Sequence, residues 1–169
     1  MHSINQSNQN GNNQVNIYIG TISIDIGYLQ DIVFSDPERL TGLLNKITDS
    51  KERDMPQSSN SVMEDIDDKN KKNDLVEYYE QFIQHEESKF QILEEFIKEN
   101  ELAEKVDIAS GVIKRAIFSY ENRKSSKLTP EIFDMIVTEF TKSVQELENK
   151  ELMKLWIYFL YRYCFIGEK

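Results

Sequence analysis

The stretch Lys150-Glu151-Leu152-Met153-Lys154-Leu155-Trp156-Ile157-Tyr158-Phe159-Leu160-Tyr161-Arg162-Tyr163-Cys164-Phe165 decides the fold. Wound as a helix, it is apolar on nearly every side, and a helix without a polar face is buried all round. It therefore needs other helices to surround it, and Gly167 stands where such a helix would end. The apolar run from Leu152 to Ile166 is interrupted by Lys154 and Arg162. It is too short and too charged for a membrane span, which takes about 20 apolar residues.

The helices that could surround it lie just upstream. Leu75, Tyr79, Phe82, Phe90, Leu93 and Ile97 recur at three-four spacing and define one amphipathic helix. Leu102, Val106, Ala109, Ile113, Ala116, Ile117 and Tyr120 define a second. Its Gly111 weakens it by about 1 kcal/mol relative to Ala and hints at a close approach. Thr129-Pro130-Glu131 opens a third, with Thr as N-cap, Pro in the first position and Glu at the positive dipole end. Phe133, Ile136, Phe140, Val144 and Leu147 form its stripe. The expected fold class is mainly α: a bundle of about four helices over 74–169, the last one central.

Before the bundle the composition changes several times. Residues 1–14 are rich in Asn, Gln and Ser and read as a mobile polar tail. Over 15–26, β-branched residues alternate with polar ones around Gly20, which predicts a short N-terminal β-hairpin or strand segment. Residues 27–48 read as a short helical segment. In it Asp36-Pro37-Glu38 starts a helix whose stripe is Leu40, Leu43, Leu44 and Ile47. Residues 49–73 turn polar and read as a linker.

The chain has 169 residues and a formal net charge of -10. Acidity of this size opposes contact with a phosphate backbone, which is recognised first through Lys and Arg. Two small basic clusters do not reverse that expectation: Lys69, Lys71 and Lys72 are diluted by Asp65, Asp67 and Asp68, and Arg123, Lys124 and Lys127 read as the end of a helix. Cys164 is the single cysteine, so no internal disulfide forms and a reducing compartment, the cytoplasm, is expected. The N-terminus shows no basic and apolar leader pattern.

Common chemistries lack their residue sets. The two histidines are His2, in the tail, and His85, beside Glu86 and Glu87. Neither has a positioned nucleophile in view. Cys164 reads as a small core hydrophobe. The run from Asp65 to Val76 has Asn70 and Val76 where a calcium loop needs Gly and Glu. Glu80, Glu87 and Glu94 share one helix face, which reads as solvated. No metal, no cofactor and no enzymatic activity are expected.

Two regions exceed what folding requires. In Asn12-Asn13-Gln14-Val15-Asn16-Ile17-Tyr18-Ile19-Gly20, Val15, Ile17 and Ile19 could add to a sheet edge or stack into cross-β. This stretch resembles short amyloid-signalling motifs of bacterial immune systems, although an edge strand folded on the body is the plainer reading. The second region is the aromatic C-terminus. Trp156, Tyr163, Phe165 and Ile166 are candidate partner contacts, because Trp and Tyr are enriched where interfaces concentrate their energy.

Asn73-Asp74-Leu75 opening a helix, the continuation from Lys89-Phe90 to Asn100, and the closing Tyr163-Cys164-Phe165-Ile166-Gly167-Glu168-Lys169 carry a wider resemblance. The amide-rich lead from Gly11 to Gly20 fits it as well. Together they resemble the accessory and C-terminal helical domains of bacterial three-component defence systems built around a RecF- or SMC-like ATPase. The resemblance implies a non-catalytic adaptor that docks on an ATPase or effector subunit. The alternative expectation is self-assembly, with the N-terminal segment nucleating homo-oligomers.

Overall fold

The computed structural model describes residues 26–49, 65–120, 127–163 and 165–167. In chain order the helices are α1 (Ile26–Ser35), α2 (Pro37–Thr48) and α3 (Ile66–Lys72). A helical turn, α4 (Val76–Tyr78), runs into a π turn (Tyr79–Ile83), a 3-10 turn (Gln84–Glu86) and α5 (Glu87–Glu99). Then follow α6 (Ala103–Ser119), α7 (Pro130–Thr141) and α8 (Leu147–Arg162). Among the described residues there is no strand. The β segment expected over 15–26 lies outside them except for Ile26, which opens α1.

Local chemistry starts the helices where the sequence placed them. The Asp36 carboxylate accepts from the Arg39 N–H at 3.2 Å, and Pro37 takes the first helical position. Pro130 does the same for α7, although the Thr129 side chain makes no capping bond. Capping satisfies amide groups that the first turn leaves without an intrahelical acceptor.

Helix α8 is the centre of the molecule. Every residue from Leu155 to Tyr161 is buried. α2 and α7 pack against it, α6 joins α2 to α7, and α1 lies on α2 and α5. The rings of three helices interleave. Phe96 of α5 sits 6.4 Å from Trp156, and Phe133 of α7 sits 5.6 Å from Tyr158 and 5.4 Å from Tyr161. Each fully buried side chain of this size contributes about 1.5–3 kcal/mol of transfer free energy.

Three expectations are corrected and one is refined. The stretch read as a linker over 49–73 is helical from Ile66 onward, and Lys69, Asn70 and Asn73 are buried. Their polar composition suggested solvent, yet each polar head meets a buried partner. Asn73-Asp74-Leu75 leads into a helix through a break, with Leu75 as its N-cap. Asn73 caps α3, Asp74 turns with φ of 55°, and the helix resumes at Val76. Gly111 meets no close neighbour, since nothing lies within 4 Å of where its Cβ would stand. Gly167 does not end α8, which stops at Arg162. Gly167 has φ of 87° and packs so tightly that a Cβ would stand 3.2 Å from the Tyr161 ring.

Candidate functional site

Of the residues singled out by sequence, Val15, Ile17 and Ile19 lie outside the described residues. Trp156 is 0% exposed and donates its indole N–H to the Leu40 carbonyl at 3.3 Å. Ile166 is equally covered, held by a backbone N–H bond to the Leu160 carbonyl at 3.3 Å. These two are core residues in this fold, which corrects their reading as partner contacts. An all-round apolar helix leaves no sequence signal for which of its aromatics is covered.

Tyr163 and Phe165 are half-buried and remain together at the C-terminal corner. Both rings lie against Phe159, at 4.6 and 6.4 Å. The Tyr163 hydroxyl donates to Glu94 at 3.0 Å. Burial, and then that bond, push the phenol up to about 12. Beside it, Glu87 accepts from the Tyr79 hydroxyl and from Arg162 Nε. Glu80 and Glu94 are exposed, as a solvated face requires, and Glu87 and Glu94 also fasten the corner. A shallow groove of about 290 Å³ here is lined by Phe90, Gln91, Arg162 and Tyr163.

Sequence reasoning missed a second surface. Three-four spacing carries the buried stripe from Leu75 and Tyr79 to Phe82. The structure instead buries Ile83 at 0% and leaves Phe82 51% exposed. A π turn lies at this point, in which the Gln84 N–H reaches back five residues to the Tyr79 carbonyl. Phe82 follows Tyr79 by three residues and Ile83 follows it by four, and in this turn the fourth is the one buried. Such turns inside helices recur at functional sites.

Phe82 rests on a supported platform. Its ring lies 4.9 Å from Tyr78, and Tyr78 lies 5.1 Å from the buried Phe133. The Tyr78 hydroxyl donates to Asp134 at 2.7 Å. Burial is the main reason the Tyr78 phenol is raised far above its ordinary value, with Tyr158 and Asp134 adding to it. Tyr78 therefore stays a neutral donor throughout ordinary pH. Tyr78, which carries Phe82 on its ring, also lines a groove of about 400 Å³ together with Lys71, Asp74, Val76, Glu77 and Pro130. Val76 in that lining is itself 41% exposed.

Other features carry less. Phe34 is the most exposed large apolar side chain among the described residues, but isolated surface apolar residues are ordinary. A cleft of about 540 Å³ between the ends of α2, α6 and α7 mixes Lys46, Asp49, Glu139 and Lys142 over Ala116 and Phe140. Among the described residues no group of three His, Cys, Asp or Glu converges as a metal site. Asp65, the first residue of the run compared with a calcium loop, caps α3 by accepting from the Asp67 N–H at 2.9 Å. His85 is exposed on the 3-10 turn. No helix among the described residues is long and apolar enough to cross a membrane.

In comparisons with known proteins, no curated protein and no solved structure matches the chain. A family model does match, over residues 23–167, and is described as C-terminal domain 12 of the ABC-three component (ABC-3C) systems.

Proposed function

We propose, from the premise that this chain belongs to the C-terminal domain 12 family of the ABC-three component systems, that it acts as their non-catalytic adaptor. Membership makes the chain a component of a multiprotein system and implies protein partners. In our reading the domain docks on the ATPase or an effector subunit and serves bacterial anti-phage defence in the cytoplasm. Catalysis then belongs to the partner.

The observation that carries this reading is the exposed Phe82. A large aromatic within a π turn is exposed and rests on Tyr78, which Asp134 holds by a hydrogen bond. Exposed aromatics on preorganised supports are what interfaces use as anchors.

The test is co-expression of the tagged chain with the other components of its system, followed by sizing of the eluate. The wild-type chain is expected to co-elute with another component, and Phe82→Glu to lose it while keeping its helical circular dichroism. A chain that elutes alone in the presence of every other component, or that turns over a substrate unaided, overturns the reading.

A further inference from the structure

We infer that the Phe82 face receives a basic segment of another component, in which an apolar side chain is flanked by Lys or Arg. This rests on the docking reading above and adds the chemistry of the partner.

The argument begins with which charges around Phe82 are already matched. Glu86, one turn further along, pairs with Lys89. At the groove, Lys71 pairs with Asp68 at 3.3 Å and Asp74 with Lys127. Along the groove and the Tyr78 platform, two carboxylates are left over. Glu77 lines the groove and is exposed, and Asp134 is exposed while accepting from Tyr78. Among the described residues no cation lies within ion-pair distance of either. The surface therefore carries exposed Phe82 on one side of Tyr78 and exposed Val76 in the groove that Tyr78 lines, with unpaired negative charge beside them.

That pattern selects an occupant. An apolar residue of the partner would cover Phe82 or enter the groove, and a cation one turn away would meet Glu77 or Asp134. Desolvating either carboxylate against a neutral or acidic segment would cost free energy that nothing repays. The chain's net charge of -10 draws a basic segment in and repels a second copy of the same acidic surface. The platform is already fixed by ring packing and by the bond to Asp134, so little ordering accompanies docking.

The experiment places the photo-crosslinking residue p-benzoylphenylalanine at position 82 of the full chain, co-expressed with the other components of its system. The crosslinked peptide is sequenced by mass spectrometry, and circular dichroism verifies folding. The expected product is a peptide of another component with Lys or Arg beside an apolar residue. Adding Glu77→Lys should then reduce its yield several-fold, and Glu77→Gln should reduce it less. A neutral or acidic peptide from another component, or a yield indifferent to Glu77→Lys, overturns the basic partner and leaves the docking reading standing. No crosslink, or one only to a second copy of this chain, overturns both.

Discussion

The ammonium of Lys69 lies 4.0 Å from the centre of the Tyr161 ring and donates to the Tyr161 carbonyl. Lys69 is wholly buried, and so is Tyr161. The Tyr161 hydroxyl in turn donates to Asn70 at 2.9 Å. Asn73 donates to the Lys69 carbonyl and accepts from the Leu128 N–H, both at 2.9 Å. Helix α3 is thereby bound to the end of the central helix and to the lead into α7. Gly167 closes over the same cluster, with the Lys69 stem 3.4 Å from where its Cβ would stand.

Removal of that lysine is expected to be costly. Lys69→Ala loses a charge-assisted hydrogen bond and leaves a cavity, a loss of about 3 kcal/mol or more. Lys69→Met keeps most of the stem volume and should destabilise less. Urea unfolding of both variants gives the comparison. Equal midpoints for Lys69→Ala and wild type would show that the buried ammonium contributes nothing.

The π turn makes a register claim that two neighbouring substitutions can check. Ile83→Ala should cost about 2–4 kcal/mol, as a buried truncation does. Phe82→Ala should cost about 1 kcal/mol at most, chiefly its ring contact with Tyr78. The reverse order of the two midpoints would show that Phe82, and not Ile83, is the core residue.

Gly111→Ala should stabilise the protein. The position is mid-helix in α6, and an added methyl meets nothing within 4 Å. The gain is about 1 kcal/mol, from helix propensity and reduced freedom of the unfolded chain. The melting temperature should rise by about 3 °C. A fall would mean that the Cβ position is not open.

Alkaline titration should divide the tyrosines. Burial is the first cause that pushes Tyr158, like Tyr163, up to about 12 from an ordinary 10.0. Phenolate absorbance should therefore show some tyrosines ionising well above pH 10.0 while the fold persists. The unfolded chain releases those protons first, so their contribution to stability is complete below pH 10.0 and is lost as pH rises through about 12. Titration of all phenols together near pH 10.0, with the protein still folded, would contradict the buried placement.

Much of the helical framework is legible in the sequence because its causes are local. Asp36-Pro37 and Thr129-Pro130 mark helix starts through backbone geometry that needs no distant partner. The near-continuous apolar run from Leu152 to Tyr161 demands burial whatever covers it, and α8 is central for that reason. The resemblance to three-component domains rests on the same helical frame, and the family match extends over it. What only the tertiary structure decided depends on residues far apart in the chain. Lys69 and Asn73 look like solvent-seeking linker residues until Tyr161 and Leu128 arrive beside them. Trp156 and Ile166 look available at the chain's end until α2 and the backbone of Leu160 take them up. Phe82 looks buried, yet in the π turn Ile83 is the residue that the core takes up. Periodicity states which face of a helix is apolar. It does not state where a helix changes its own period, because packing against neighbours sets that balance.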